Sequence, residues 1–499
     1  MPDSTRSDAA KGRPAWAKDA VFYHIFPDRF ARSERVAKPD NLLSWHSAPS
    51  EQGYHGGDLL GIAAHLDHLV DLGISAIYLT PIFQSASNHR YHTHDYYQVD
   101  PLLGGNEAFR ELVDRCHARG LRIILDGVFN HASRGFYRFN DILENGPHSP
   151  WLNWFHIDGW PVAAYEGHKP ANYRGWVGNR ALPKFNTDNP QVREYLIGVG
   201  EYWIREYGID GWRLDVPDQI TTPGFWEEFR CRVRAINPEA YLVGEIWHAV
   251  PEWLEGDRFD ATMNYVFAAA VIAFVAGDRV SASLAAGRSY DPYPGIDAAE
   301  FGGRIEQLLA TYDWETTQVQ FNLLDSHDAP RVLSLARGDK ATLRLATLLQ
   351  MTFPGTPSVY YGDEIALAGT RRYDRSYRDQ DSRRPFPWDD ESLWDREMLD
   401  YFRRAISLRH AHPAFRGGEF HELYAEERQY AFVRCNAAET LLVVVNAGDD
   451  VARISIPVHE YFDEGTTLRA LFGDLAADVV GKGRVAVKVP ARWGGVFLG

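Results

Sequence analysis

Residues 210–245 read DGWRLDVPDQITTPGFWEEFRCRVRAINPEAYLVGE. The segment begins and ends with short runs, DGWRLD (210–215) and AYLVGE (240–245), that each predict a strand. Between them, FWEEFRCRVRAI (225–236) has apolar residues at helical spacing. Strands joined through a helix lie parallel in one sheet, so the segment predicts a parallel sheet covered by helices.

The same alternation extends from about residue 18 to residue 410. Helical patterns also occupy 59–73 and 107–120. Eight such units are what a (β/α)8 barrel requires, and in that fold functional side chains lie at the C-terminal ends of the strands. The predicted fold class is therefore α/β, a (β/α)8 TIM barrel. The eight predicted strands are VFYHIF (21–26), SAIYLT (75–80), LRIILD (121–126), DGWRLD (210–215), AYLVGE (240–245), DATMN (260–264), QVQFNLL (318–324) and PSVYY (357–361).

Two segments depart from this alternation of strands and helices. A long insertion rich in Trp, Gly, Asn and His separates the third strand from the helix that begins at Pro190, and such long loops are usually functional. After about residue 415 strands alternate without helices, which predicts an antiparallel β-sandwich. The predicted divisions are an N-terminal extension (1–17), a barrel in two parts (18–130 and 189–412), an inserted domain (131–188) and a C-terminal β-sandwich domain (413–499).

The composition excludes several classes of protein. The 499 residues carry a formal net charge of −16 with scattered Lys and Arg, so no nucleic-acid partner is expected. The sequence shows neither an apolar run of roughly 18 residues nor an N-terminal signal region, which predicts a cytoplasmic protein without a membrane partner. The three cysteines lie far apart, so we expect three buried thiols and neither disulfides nor a zinc site. Aromatic residues make up 13%, and the apolar faces of sugars stack on such rings.

An arginine and an aspartate end the fourth predicted strand. In GWRLD (211–215), the two-residue period places Arg213 and Asp215 on one face of the strand. We expect Arg213 to lower the pKa of Asp215 and keep it ionised, as a carboxylate nucleophile requires. An ordinary ion pair is the alternative interpretation.

The fifth predicted strand runs into VGEIWH (243–248), which places Glu245 over the barrel mouth and Trp247 on the same side of an extended chain. In a partly desolvated site the pKa of Glu245 would rise, which suits a general acid that later acts as a base.

The seventh predicted strand ends in NLLDSHD (322–328), and the spacing alone does not choose between Asp325 and Asp328. His327 lies between them, and His131 ends DGVFNH (126–131). Each histidine is either a ligand-binding donor or a satisfied structural residue, and their position at acidic strand ends favours binding.

Six motifs then occur in a fixed order: GISAIYLTPIF (73–83), DGVFNH (126–131), GWRLD (211–215), GEIW (244–247), SHD (326–328) and GTPSVYYGDEI (355–365). Together they resemble the ordered motifs of the α-amylase clan, glycoside hydrolase family thirteen, and six matches in the right order rarely arise by chance. The resemblance implies a retaining α-glycosidase with a barrel, a domain B after strand three and a C-terminal β-domain.

The resemblance also implies roles for single residues. Asp215 matches the nucleophile, Glu245 the general acid/base, and Asp328 the carboxylate that binds and distorts the sugar in subsite −1, so Asp325 becomes structural. The residues that match binding of that sugar or orientation of the nucleophile are Arg213, His131, His327 and Tyr91.

Within the family, LPKFNT (182–187), GEIWH (244–248) and QMTFPGTPSVYYGDEI (350–365) are most similar to the neopullulanase, cyclomaltodextrinase and maltogenic amylase group. That similarity implies that Asp379 and Arg383 grip the non-reducing side of an oligosaccharide substrate and that Trp247 stacks on the acceptor side.

Two features depart from that group. Its members typically follow the nucleophile with Val-Ala-Asn-Glu, whereas Val-Pro-Asp-Gln occupies 216–219 here, so the balance of hydrolysis and transfer is open. Many members carry an N-terminal β-domain that builds a dimer, whereas the first predicted strand here starts near residue 21, so that domain is expected to be absent and the oligomeric state is open.

No cofactor is expected. Asn130 matches a family position that often binds calcium, but ARSERVAKPDN (31–41) lacks the Asn-x-Asp cluster of some members, so we expect no essential metal.

The resemblance thus favours a hydrolase of maltooligosaccharides or cyclodextrins with some transglycosylation. A glucosyl transferase or a sucrose- or trehalose-type enzyme of the same clan is the first alternative. A non-catalytic carbohydrate-binding relative is more remote, because such proteins are expected to lose the triad carboxylates that are present here.

Overall fold

The computed structural model describes residues 12–167, 170–286, 290–369 and 381–499. Eight parallel strands lie side by side in the order sixth, fifth, fourth, third, second, first, eighth, seventh. A parallel bridge between Met263 and Phe321 joins the two ends and closes the barrel, which confirms the predicted (β/α)8 fold class. The strands, in chain order, are Phe22–Ile25, Ala76–Leu79, Arg122–Gly127, Gly211–Leu214, Tyr241–Gly244, Ala261–Thr262, Phe321–Leu323 and Thr356–Tyr360.

Amphipathic helices cover the outside of the barrel. In Gly105–Ala118, for example, Phe109, Leu112 and Val113 recur at helical spacing and are buried against the sheet. The described α-helices are Pro27–Phe30, Leu59–Ala64, Leu66–Leu72, Gly105–Ala118, Tyr137–Asn145, Pro190–Tyr202, Phe225–Ile236, Tyr265–Ala276, Ala282–Ala285, Ala298–Thr311, Trp314–Val319, Val332–Leu335, Lys340–Thr352, Arg396–Ala411 and Pro413–Gly417.

Two predicted elements differ from the structure. The single helix expected over 59–73 is two helices, Leu59–Ala64 and Leu66–Leu72, because His65 has a non-helical backbone between them. The seventh strand begins only at Phe321, because the Asp313 side chain caps a short helix, Trp314–Val319, that takes the start of the predicted strand.

The insertion after the third strand, domain B (131–188), contacts the barrel mouth. It carries the helix Tyr137–Asn145, whose Phe139 packs on Phe155 and Tyr173. Its last part pairs with the segment just after the third strand, since His131 and Lys184 form an antiparallel bridge. Domain B is therefore anchored directly beside the strand ends.

The C-terminal segment forms two antiparallel sheets that pack face to face, as predicted. Val433 and Val444 of the larger sheet and Val487 of the smaller one share one buried cluster. The larger sheet contains, in spatial order, Glu419–Glu426, Gln429–Cys435, Thr440–Asn446, Trp493–Leu498 and Arg469–Phe472, and the smaller one contains Ala452–Pro457 and Arg484–Val489.

The expectation of three buried thiols is wrong for two of them. Cys116 is buried, whereas Cys231 is exposed and Cys435 is only partly buried. Cys231 lies in the helix Phe225–Ile236 on the side opposite Phe229 and Val233, which face the barrel. Within the described ranges, no helix is both long and apolar enough to cross a bilayer.

Candidate active site

Three carboxylates meet in one cleft of about 720 Å³ at the C-terminal ends of the barrel strands. Asp215 and Glu245 each follow a strand directly, and parallel pairing holds their backbones, with Asp215 N donating to Gly127 O (3.1 Å) and Glu245 N to Leu214 O (2.9 Å). Asp328 lies in the loop after the seventh strand. The cleft is lined by Glu51, His89, Tyr91, His92, His131, Trp176, Val177, Asn179, Leu182, Asp215, Val216, Asp218, Gln219, Glu245, Ile246, Trp247, His248, Asp328 and Arg383.

One buried guanidinium, that of Arg213, contacts two of the cleft carboxylates and a third carboxylate behind them. Arg213 Nη1 donates to Asp215 Oδ1 at 3.1 Å and lies 2.9 Å from both oxygens of Asp126. Its Nη2 lies 2.8 Å from Glu245 Oε2. A single positive charge is therefore shared among three carboxylates, Asp126, Asp215 and Glu245.

A chain of hydrogen bonds runs behind the cleft from Asp126 to the seventh strand. Tyr78 and Tyr91 donate their hydroxyls to Asp126 Oδ2 at 2.6 and 2.8 Å. The Tyr91 hydroxyl also lies 2.6 Å from His327 Nε2, and the two rings stack with an interplanar angle of 10°. On its other side, His327 Nδ1 lies 3.3 Å from His24 Nε2. These contacts fix the orientation of both the Tyr91 and the His327 rings.

Asp328, the third carboxylate of the cleft, contacts an arginine and a histidine. Its Oδ1 accepts from Arg383 Nη2 at 2.7 Å, and its Oδ2 lies 3.0 Å from His327 Nε2. Burial raises the pKa of Asp328, but His327 and Arg383 outweigh burial and hold that pKa well below its usual range. Asp328 is therefore ionised at neutral pH.

The Asp215 and Glu245 carboxyls behave as a pair. Burial raises the pKa of Glu245, and Asp328 adds to the rise while Arg213 opposes it. Burial and the neighbouring Glu245 also raise the pKa of Asp215 well above its ordinary value, against the effect of Arg213. Arg213 lowers the pKa of Asp215 as expected, but the expected net lowering is wrong, because burial and the charge of Glu245 outweigh the arginine. Such a pair favours a state that holds one proton.

Both oxygens of Glu245 also accept hydrogen bonds from neutral donors. Trp247 Nε1 donates to Oε1 at 3.1 Å, and the backbone N–H of Val216 donates to Oε2 at 3.2 Å. The Trp247 ring stacks flat on Tyr265, with 3.7 Å between ring centroids and 5° between the planes. The Glu245 side chain is thus held in one orientation from both sides.

On the domain B side, His131 is buried, and its Nε2 has no hydrogen-bond partner among the described residues. Burial lowers its pKa to about 3, so the ring is neutral at ordinary pH. Trp176 stacks on this ring at 5.6 Å between centroids. A neutral imidazole with a free nitrogen at a cleft wall is suited to hydrogen-bond a hydroxyl of a bound ligand.

Comparison with known proteins agrees with this geometry. A family model described as "Alpha amylase, catalytic domain" matches residues 24–402, and one described as "Neopullulanase-like, C-terminal domain" matches residues 420–488. The chain belongs to the α-amylase family. It is a glycosidase of that family.

Several relatives within the α-amylase family are similar over most of their length. A cyclomaltodextrinase from a Bacillus species is 44% identical over 436 residues, which are 87% of this chain and 73% of that protein. Neopullulanase 2 from Thermoactinomyces vulgaris is 40% identical, over 90% of this chain and 72% of its own. The crystal structure of a debranching enzyme from Nostoc punctiforme is similar with a TM-score of 0.89 and 52% identity, covering 97% of this chain and 99% of that one.

The structure brings together most of the site residues predicted from the family motifs. Seven of them, Tyr91, His131, Asp215, Glu245, Trp247, Asp328 and Arg383, line the cleft, while Arg213 and His327 lie buried directly behind it. Asp379 lies outside the described residues. Asp325 points away from the cleft, since its Oδ2 accepts from the backbone N–H of Val332 at 2.7 Å.

Three residues that organise the site were missed in the sequence. Asp126 stands inside a family motif, and its position as a polar residue after the apolar run LRIIL was a usable signal. Tyr78 and His24 lie within apolar strands, where an aromatic residue predicts core packing equally well. Their contacts across neighbouring strands are visible only in the folded barrel.

Asn130 offers one oxygen toward a calcium ion, since its Oδ1 is buried without a hydrogen-bond partner among the described residues. Calcium takes roughly six to eight oxygen ligands, and the expectation that no metal is essential stays a prediction. The one group of three His, Cys and acidic donors found in the described part of the chain is Glu419, His421 and Cys435, in the C-terminal domain.

Proposed function

We propose that the chain is a retaining α-glycoside hydrolase that acts on maltooligosaccharides and cyclodextrins. The observation that carries the proposal is the contact of one buried arginine, Arg213, with both Asp215 and Glu245 in the cleft that also holds Asp328. In the proposed mechanism Asp215 is the nucleophile, Glu245 is the general acid/base and Asp328 binds the sugar.

In the first step Glu245 transfers its proton to the glycosidic oxygen while an oxygen of Asp215 attacks the anomeric carbon. The bond from that carbon to the leaving oxygen breaks, and a glucosyl ester forms on Asp215. The raised pKa values of Glu245 and Asp215 support a pair that holds one proton, and the mechanism assigns that proton to Glu245. Asp328, kept ionised by His327 and Arg383, accepts hydrogen bonds from the sugar hydroxyls.

In the second step the ionised Glu245 takes a proton from water, whose oxygen attacks the anomeric carbon and releases Asp215. An acceptor sugar in place of water gives transglycosylation. Two displacements retain the configuration and require the two carboxyls to lie about 5–5.5 Å apart, which stays a prediction.

The relatives support the substrate class. Their names include cyclomaltodextrinase, neopullulanase and maltogenic α-amylase. Another relative, from Bacillus subtilis, is named an intracellular maltogenic amylase, which supports an intracellular location for this chain too. The mechanism uses side chains alone, so activity is expected to survive EDTA.

A second candidate activity is cleavage of α-1,6 branch points. It is favoured by the Nostoc punctiforme debranching enzyme, which matches this chain end to end at 52% identity. Pullulan distinguishes the two, since cutting its α-1,6 bonds releases maltotriose and cutting its α-1,4 bonds releases panose-type trisaccharides.

The test is to incubate the purified chain with maltotriose, β-cyclodextrin, pullulan and starch and to follow the products by chromatography and the first anomer formed by NMR. We expect glucose or maltose in the α configuration, and D215N and E245Q each to lower the rate by several orders of magnitude. D67N, at an exposed side chain of the helix Leu66–Leu72, is the control that keeps the rate. No release from any substrate, or β products, would overturn the proposal.

A further inference from the structure

Val216, the residue after Asp215, has a backbone conformation that is disfavoured for two reasons. Its φ of 35° and ψ of 53° lie in the left-handed region, where a β-branched residue is a genuine outlier. It also precedes Pro217, and the ring of a proline pushes the preceding residue toward extended backbone. Backbone strain of this kind clusters at functional sites.

The chain on both sides of Val216 is anchored. On the N-terminal side Asp215 N donates to Gly127 O of the third strand at 3.1 Å. On the C-terminal side Trp226 Nε1 donates to Pro217 O at 3.0 Å, and Lys184 Nζ of domain B donates to Gln219 O at 2.6 Å. The conformation of Val216 is therefore imposed by contacts with the barrel and with domain B.

Because the flanking chain is held, the φ of Val216 decides where its peptide plane points. In the observed conformation the N–H of that plane donates to Glu245 Oε2 at 3.2 Å. The other half of that peptide group is the carbonyl of Asp215. The peptide group between Asp215 and Val216 therefore connects the backbone of the proposed nucleophile to the side chain of the proposed acid/base through one hydrogen bond.

We propose that Val216 is a positioning residue, whose left-handed backbone aims its N–H at Glu245 and fixes the placement of Glu245 relative to Asp215. The inference rests on the proposed roles of these two carboxylates and deepens them. Val216 itself exchanges no proton and forms no bond with the sugar.

The hydrogen bond has a chemical consequence for the acid. A donor favours the ionised carboxylate, so the Val216 N–H lowers the pKa of Glu245 against the effect of burial. The other groups that face Glu245 are Arg213 and Trp247, which also lower its pKa, and Asp328, which raises it. The carboxyl of Asp215 also neighbours Glu245, and the neutral hydroxyls of Tyr78 and Tyr265 lie close to it. If the Val216 N–H is lost, the pKa of Glu245 rises and proton donation becomes harder.

The test is a pair of variants in the full chain, V216P and V216G. Proline has no N–H and fixes φ at about −65°, so it removes the donor, whereas glycine keeps the N–H and adopts a positive φ without strain. For V216P we expect kcat to fall roughly 10-fold or more and the alkaline limb of the pH profile to move to higher pH, because the pKa of Glu245 rises when the donor is lost. V216G is expected to keep the wild-type alkaline limb, because the contacts on both sides still hold the chain.

The control is E427P. Glu427 also has a positive φ, 50°, in the hairpin turn between Glu419–Glu426 and Gln429–Cys435 of the C-terminal domain. It is expected to leave kcat and the pH profile unchanged. Wild-type kinetics in V216P, or equal shifts in V216P and V216G, would overturn the inference. An active E245Q would instead overturn the proposed function, so the two failures are separate.

Discussion

Arg383 donates from Nη2 to Asp328 Oδ1 at 2.7 Å, and its Nε donates to the carbonyl oxygen of His327 at 2.8 Å. One planar guanidinium therefore holds both the side chain of Asp328 and the backbone just before it. A lysine has no donors in that fixed geometry. Asp328 thus depends on an arginine from the distant segment that follows the eighth strand.

We expect R383K to lower kcat/KM by roughly 10- to 100-fold, because a hydrogen bond to a charged group contributes about 1.5–3 kcal/mol. The pKa of Asp328, now held well below its usual range, would rise. Since the reaction requires ionised Asp328, the acid limb of the pH profile would move to higher pH. R384K is the matched control, since Arg384 donates only to the backbone of Ala368 at 3.1 Å among the bonds described. An acid limb that stays in place would contradict this role of Arg383.

Substitution of Asp126 is expected to lower both the free energy of unfolding and kcat. It accepts from Arg213, Tyr78 and Tyr91, so D126N leaves a buried arginine with less opposite charge and would cost about 3–5 kcal/mol of unfolding free energy. Because Arg213 also contacts Asp215 and Glu245, kcat should fall as well.

The comparison for D126N is D210N. Asp210 is a buried carboxylate at the opposite end of the fourth strand and accepts from Arg122 Nη1 and from Ile123 N, each at 2.9 Å. D210N should lower the midpoint of urea unfolding with little effect on kcat. Equal kcat in D126N and D210N would argue against a role of Asp126 in the site.

The sequence predicted where the site lies but only part of how it works. Asp215 and Glu245 could be placed at strand ends from the two-residue period, and the barrel then brings strand ends together. The net pKa direction of Asp215 was predicted wrongly, because local spacing shows the arginine two residues away but neither the burial of Asp215 nor the second carboxyl on the neighbouring strand. Contacts across strands depend on register, which short motifs do not fix.

Other differences have local causes. The Asp313 side chain competes for the start of the seventh strand by capping a helix, a signal that was present in DWETT (313–317) and was outweighed by the apolar run after it. The exposure of Cys231 follows from the phase of its helix, since Phe229, Arg230 and Val233 define the buried face. The conformation of Val216 had no signal in the sequence, because its β-branched side chain and the following Pro217 both disfavour it.

Trp247 is expected to affect the pH at which kcat/KM falls on the alkaline side, through the pKa of Glu245. W247F keeps an aromatic ring against Tyr265 but loses the N–H that donates to Glu245 Oε1 at 3.1 Å. That bond lowers the pKa of Glu245, so its loss raises the pKa, and the alkaline limb of kcat/KM moves to higher pH. W253F, whose ring stacks on Phe259 nearby, is the control expected to show no shift. A shift to lower pH in W247F would refute the argument.

Burial of His131 is expected to make the protein less stable in acid. Burial lowers its pKa to about 3, against about 6.5 in the unfolded chain, so between these values only the unfolded chain binds the proton. Stability therefore falls as pH decreases through that window, by about 2 kcal/mol from this residue between pH 7 and 5. Urea unfolding followed by tryptophan fluorescence should show that H131Q loses less stability than wild type over this range. H459Q, at a side chain that is 68% exposed, should behave as wild type, and an unchanged pH dependence in H131Q would show that the imidazole is charged in the folded protein.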